Sequence, residues 1–357
     1  MYEMNNDFFD YFTVLFDRKE SIINGRWNPL GAYAAEALNV IETKVYYQID
    51  PAVREFKEEF QIFLSSRSPS SAALAQQKLD RLWSLLGRLP VYNRLFSKDH
   101  GARHLFAYMR EHPDKVDEML LPGSELNQMM NRWLKKMDTL TTSLQQFWRN
   151  THWMLDDYFE DLPSRKPESY ARAYSAFRRD AENDIEMMAG EGQRSDAEDM
   201  VFDFPVRVSF EAALVPGSDK VILAEKMVFD ELVNFLYVDL CKGMAAGNIP
   251  RRCHNCNKYF LTIGGYDTVY CSNRAPGEKK KTCRQVGAHR TEKIKNDQSP
   301  IQKEYTRAYN RLKARKQRGS ISVDEWNRQV AAAQELRDSA AKGEIALSDL
   351  RVELEKL

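Results

Sequence analysis

Four cysteines, Cys253, Cys256, Cys271 and Cys283, lie in one strongly basic stretch, and their type and spacing carry most of the chemistry open to this chain. A Cys-x2-Cys pair followed by two more cysteines within a small module is the spacing of a tetrahedral thiolate zinc site. Two cysteines separated by two residues curl a tight turn that aims both sulfurs at one ion, with the intervening backbone amides facing those sulfurs. The set predicts one Zn2+ held by all four cysteines. A closed four-sulfur shell leaves no position for water or substrate, so the metal is expected to be structural. Two histidines stay open as replacement ligands: His254, inside the first knuckle, and His289, six residues after Cys283. Cys241 stands apart in an apolar helical segment and reads as a small core residue.

The second pair of cysteines is widely spaced. Eleven residues separate Cys271 from Cys283, and they include Lys279, Lys280 and Lys281. Closing a loop of that length costs little, because the entropic term grows only with the logarithm of loop length. The lysines read either as a contact surface or as a solvated loop. The formal net charge of zero hides a segregation: residues 251–318 hold 18 Lys plus Arg against 5 Asp plus Glu, whereas residues 1–250 hold 29 against 39. A basic region on an acidic body points to a phosphate-bearing partner. The candidate nucleic-acid contacts are Arg274, Lys279, Lys280, Lys281, Arg284 and Arg290, with Arg307, Arg311, Arg315 and Arg318 on the helix after the module.

The elements that must position these residues are mostly helical. Apolar residues recur at helical spacing over Tyr33–Tyr47, Ala72–Leu86, Leu105–Arg110 and Leu126–Phe159, with turn residues between them. Trp83, Trp133, Trp148 and Trp153 read as core or inter-helix packing. A polar, glycine-containing linker is expected at 189–199. Phe202 to Phe210 alternates apolar and polar residues and predicts a strand, Pro216-Gly217 a turn, and Leu223–Met244 a helix. Lys258 to Phe260 predicts a short strand, and Gly264-Gly265 a hairpin turn that brings the chain back to Cys271. Pro300 opens a helix that Gly319 stops; Ser322-x-x-Glu325 is a capping box opening another, and Leu347–Leu357 is the last. The expected fold is therefore mainly α: a helical N-terminal domain (1–190), a strand-turn-helix connector (200–250), a zinc-binding module (251–290) and C-terminal helices (300–357). With 43% hydrophobic and 29% charged residues the chain is an ordinary soluble one. No apolar run reaches bilayer length, and the acidic N-terminus lacks the basic head of a signal peptide, so no membrane partner and a cytoplasmic location are expected.

The run Cys253-x2-Cys256…Phe260…Tyr270-Cys271-Ser-Asn273…Cys283-Arg284…His289-Arg290 resembles the zinc finger named for its Cys-Gly-Asn-Arg motif, with Gln285-Val286 standing in place of the Gly-Asn. Together with Tyr305-x3-Tyr309…Arg315…Gly319-x-Ile321…Trp326, it resembles a group of uncharacterised bacterial proteins of unknown function, over roughly residues 225–355. That resemblance implies DNA binding in transcriptional regulation. The leading expectation is a zinc-binding protein that holds nucleic acid through its basic C-terminal region. The alternative is a protein–protein interaction protein with a purely structural zinc, docking a partner through the N-terminal helical domain. A nuclease is the third reading, with Asp267 and His289 as the groups to enlist. No catalytic constellation accompanies them: His100, His104, His112 and His152 form no recognised spacing, and there is no phosphate-binding glycine loop.

Overall fold

The first named elements among the described residues are strands, not helices. The computed structural model describes residue 9 and residues 11–96, 104–190, 204–215, 219–265 and 267–357. Strands β1 (Phe12–Phe16), β2 (Glu20–Ile23) and β3 (Arg26–Pro29) form an antiparallel meander, whereas the elements expected above include no strand before residue 200. Asn24 and Gly25, with φ of 50° and 72°, make the two-residue turn between β2 and β3. Both backbones take the left-handed conformation that such a turn requires, and Asn-Gly supplies it at low cost.

Helices dominate the chain beyond β3, as expected. They are α1 (Ala32–Ile41), α2 (Ile49–Ser66), α3 (Pro69–Leu86), α4 (Tyr92–Leu95), α5 (Leu105–Glu111), α6 (Pro113–Leu120), α7 (Glu125–Trp153) and α8 (Pro167–Gly190). A π-helical turn, Met154–Phe159, prolongs α7, so the periodic run read from Leu126 to Phe159 is present nearly entire. Trp83 and Trp133 are buried, and Trp148 and Trp153 pack half-buried against the same core. Most of the linker expected at 189–199, and the turn at Pro216-Gly217, lie outside the described residues.

Of the strand predicted over Phe202–Phe210, the described residues are strand only from Arg207, the start of β4 (Arg207–Leu214). The helix expected from Leu223 is not there at its start. Residues Val221–Phe229 form β5, and α9 begins only at Leu232, running to Ala245. The apolar spacing of Val221-Ile-Leu-Ala-Glu-Lys-Met-Val-Phe229 fits either period, and pairing with β4, joined by β1 from Glu225 onward, decides for the strand. β5 lies between β1 and β4 in the order β3-β2-β1-β5-β4, with Phe12 opposite Phe229 and Phe16 opposite Glu225. Phe12, Val14 and Phe16 alternate inward along β1 and pack on α1 and α9 residues, with Phe235 against Phe12, Phe16 and Tyr33.

Helices α1 and α9 are joined by a buried carboxylate. Asp239 on α9 accepts the backbone N–H of Gly31 and of Ala34, each at 3.0 Å, and so caps α1 from another element. The helices come close enough that a methyl group on Gly243 would meet the Gly31 Cα at 3.0 Å. A two-stranded ribbon, β6 (Ile249–Arg252) with β7 (Tyr259–Thr262), completes this part of the chain.

The chain divides into two units, Met1–Cys253 with Asn257–Val269, and His254–Cys256 with Tyr270–Leu357. The second contains α10 (Cys283–Gln298), α11 (Pro300–Gln317), α12 (Val323–Ala341) and α13 (Leu347–Lys356). Ser299 and Ser322 cap α11 and α12 by accepting the N–H of Gln302 and Glu325; the helix starts at Pro300 and after Ser322 and the stop at Gly319 (φ 72°) are as the sequence indicates, whereas the Glu325 carboxylate bonds Arg328 and Gln329. Tyr305, Ala308, Ala333, Ala340, Leu350 and Leu354 are the buried residues between these helices.

Candidate metal centre

The sequence around Cys253 folds as a knuckle at the end of a ribbon. β6 delivers Cys253, whose N–H donates to Lys258 O at 2.9 Å, while the Asn257 N–H returns to Cys253 O at 2.8 Å. Asn257 sits at φ 61°, the left-handed conformation that closes the turn and that asparagine tolerates better than most residues. β7 then pairs back with β6, upstream of the cysteines. The Gly264-Gly265 pair, expected to turn a hairpin toward Cys271, has positive φ at both residues but closes no hairpin. Instead the Gly265 N–H bonds Gly247 O, beside the Arg165 carbonyl.

Several side chains fix the ribbon that carries the knuckle. Asn39 of α1 both donates to Tyr259 O and accepts the Tyr259 N–H, each at 2.8 Å. His152 Nδ1 lies 2.7 Å from the Tyr259 hydroxyl. Arg251 is buried and reaches Glu160 at 3.0 Å and Asp267 at 2.6 Å, and Arg165 lies 3.6 Å from the same Asp267. Asp267, a candidate acidic group for hydrolysis, is thus engaged by two guanidiniums.

The wide second pair is brought together by backbone pairing. The Cys283 N–H donates to Asn273 O at 2.9 Å, the Arg284 N–H to Cys271 O at 3.0 Å and the Ala275 N–H to Lys281 O at 3.0 Å. Arg274 and Thr282 form a bridge between them. The eleven-residue spacer is a narrow ribbon turned at Gly277 (φ 77°), not a slack loop, and its lysines stand at and beside the turn.

Cys283 is the first residue of α10, a helix that no apolar periodicity announces. Thr282 and Gln285 form a reciprocal cap: the Thr282 hydroxyl accepts the Gln285 N–H, and the Gln285 side chain accepts the Thr282 N–H at 2.9 Å. A negative sulfur here lies at the positive end of the helix dipole. One turn on, Gly287 receives the Tyr270 ring so closely that a Cβ would meet three of its atoms at 2.4 to 2.5 Å. The ring of His254 meets Tyr270 edge-on, with centroids 6.1 Å apart.

These devices gather the four expected sulfurs. The sulfurs of Cys253, Cys256, Cys271 and Cys283 all lie within 4.8 Å of one another. Cys253, Cys271 and Cys283 are buried and Cys256 half-buried. The Cys256 and Cys271 sulfurs are 3.7 Å apart, close to the ~3.8 Å edge of a tetrahedron with 2.3 Å metal–sulfur bonds. The Asn255 amide points at the Cys283 sulfur from 3.4 Å, the kind of outer contact that steadies a metal thiolate. Neither His254 nor His289 is in the group. Cys241 is half-buried on α9 and packs against the core. The donor set and its spacing fit one tetrahedral ion.

The other expected residues divide into two groups. Arg274, Lys279, Lys280, Lys281, Arg284 and Arg290 are all exposed on the cysteine module. On α11 the arginine row is partly committed. Arg311 donates to Leu354 O and Arg315 to Leu357 O, holding the end of α13, while Arg307 pairs with Glu304 at 3.1 Å. Arg318 bonds the Ala314 carbonyl of its own helix. His100 lies outside the described residues. No helix among the described residues is long and apolar enough to cross a membrane.

No curated protein and no solved structure matches the chain. A family model does: one described as a family of unknown function (DUF6076) matches residues 202–356, from the segment leading into β4 through α13, and so takes in all four cysteines.

Proposed function

We propose that this protein binds nucleic acid through the basic side chains of its cysteine module, whose shape is set by one structural zinc ion on Cys253, Cys256, Cys271 and Cys283. The observation that carries the reading is the ribbon between Cys271 and Cys283. It holds Arg274, Lys279, Lys280 and Lys281 exposed on a short, backbone-paired projection anchored at both ends by sulfurs. A cationic projection held in one shape can neutralise phosphates without first being ordered, which favours binding.

When bound, zinc would supply a cross-link and no reactive position, because all four of its sites go to sulfur. The chain's own groups do the rest. Asn255 steadies the Cys283 sulfur, the Thr282–Gln285 cap starts α10 at that sulfur, and the ribbon presents the lysines. Arg284 and Arg290 extend the cationic surface along α10. Arg307 and Arg318 are exposed further on, whereas Arg311 and Arg315 serve the end of α13.

Metal analysis is expected to return about one zinc per chain, lost on Cys253→Ser or Cys283→Ser. Titration of duplex and single-stranded probes at several salt concentrations is expected to give affinity that falls steeply with salt. Replacing Lys279, Lys280 and Lys281 together by glutamate should flatten that dependence by roughly two to three in log–log slope, with zinc content unchanged. Equal slopes for the parent and this variant would remove the ribbon from nucleic-acid binding.

A further inference from the structure

The hairpin of β4 and β5 extends past the sheet that it belongs to. β1 pairs with β5 only from Glu225 to Phe229, while residues 221–224 of β5 pair with β4 alone. The register puts Val208, Phe210, Ala212 and Leu214 on the same face as Val221, Leu223, Glu225 and Met227. This is the face that, nearer β1, packs into the core through Phe12, Val14 and Phe16. Among the described residues the cover ends beyond Met227: Val208 is 53% exposed, Phe210 65%, Leu214 63%, Val221 61% and Leu223 74%. Glu225, the one charged side chain on the face, is held by Lys242 at 2.6 Å. The opposite face differs. It carries Arg207, Ser209, Glu211 and Lys226, with a Glu211–Lys226 pair at 2.8 Å and the small Ala213–Ala224–Ile22 cluster.

We infer that this apolar face is a homodimer contact, in which the β4–β5 ribbons of two copies pack face to face about a two-fold axis. Five large apolar side chains at these exposures present on the order of 500 Å² per chain, the size of the largest apolar patch on a typical monomer, which is often functional. Two such faces in contact would bury on the order of 1,000 Å², the lower bound for a specific interface. A second copy meets the chemistry that the face requires. It brings an equally apolar surface, and its only charge there is already neutralised within its own chain, so packing leaves no unpaired ion buried. Pairing of β4 edges is the competing arrangement, and it would leave the apolar faces still exposed. The two can be separated. Val215 N–H bonds Lys220 O, so alternation along the ladder turns the backbone groups of Val208, Phe210, Ala212 and Leu214 toward the open edge.

Sedimentation or light scattering of the full zinc-loaded chain at micromolar concentration is expected to give twice the chain mass of 41.5 kDa. Leu223→Glu and Phe210→Glu should each return the single-chain mass with the melting temperature of the diluted parent unchanged, since both side chains are exposed. Ala212→Pro, which deletes an outward N–H at the edge, should leave the dimer intact. A parent that is monomeric at these concentrations overturns the inference. So does a dimer that survives Leu223→Glu but is lost with Ala212→Pro, which would assign the contact to the strand edge.

Discussion

Gly287→Ala probes the proposed zinc site without touching one of its four cysteines. The added methyl group would lie 2.4 to 2.5 Å from three atoms of the Tyr270 ring, where carbon atoms in contact normally stay about 3.5 Å apart or more. Something must yield by about 1 Å. The ring belongs to the residue just before Cys271, and Gly287 stands one helical turn beyond Cys283, so either movement displaces a sulfur. Overpacking of this kind costs ~1–3 kcal/mol. Because metal binding and folding of such a module are coupled, that cost should appear as zinc held roughly five- to 150-fold more weakly. Competition against a chromophoric chelator measures it directly. The control is Tyr270→Ala. Without the ring, Gly287→Ala should do no harm, and should even help by up to ~1 kcal/mol, since alanine is the better helix former. The reasoning fails if Gly287→Ala binds zinc as tightly as the parent, or if the double variant is as weak as Gly287→Ala alone.

Substitutions at two further positions test the surrounding framework. Burial pushes the Asp239 carboxyl up to about 7, against the downward pull of the backbone amides of Gly31, Ala34 and Tyr33, while in an unfolded chain it titrates near 3.9. Between those values the folded chain holds a proton that the unfolded chain has released. This contribution is therefore full below about pH 4 and is lost as pH rises to about 7, by up to ~1.4 kcal/mol per pH unit. Asp239→Asn should remove that slope in denaturant titrations, and identical pH profiles for parent and variant would refute the assignment. At the first knuckle, Asn257→Val forces a β-branched residue to φ 61° and should cost ~1–2 kcal/mol in melts of the zinc-loaded protein. Asn257→Gly should melt within a degree or two of the parent.

The cysteine cluster was legible because its signal is local. Cys-x2-Cys dictates a knuckle whatever surrounds it, and a second pair of cysteines within reach names the chemistry. The C-terminal helices were legible for the same reason: Pro300, Gly319 and Ser322 each act on their own few residues. The sheet was not legible, because β1 and β5 stabilise each other across more than two hundred residues and neither run has a decisive period. One short-range cue was present in Asn24-Gly25 between Ile22-Ile23 and Trp27, enough to announce the β2–β3 turn. α10 was hidden because the segment after Cys283 is nearly all polar and offers no apolar stripe; only Thr282-x-x-Gln285 marks its start. The exposed face of β4–β5 could not be read at all. Its alternation is that of any half-buried strand, and only the folded sheet shows that the core stops short of it.

The position of β5 between β1 and β4 also has a consequence for biogenesis. Phe12 and its partner Phe229 are separated by most of the chain. At about 5–20 residues per second of synthesis, the first strand waits on the order of 10–40 s after leaving the ribosome before its neighbour exists. During that interval the meander of residues 12–29 has an open, phenylalanine-rich edge. A nascent chain stalled before residue 221 should therefore be held by chaperones or aggregate, whereas release after residue 229 lets the sheet close.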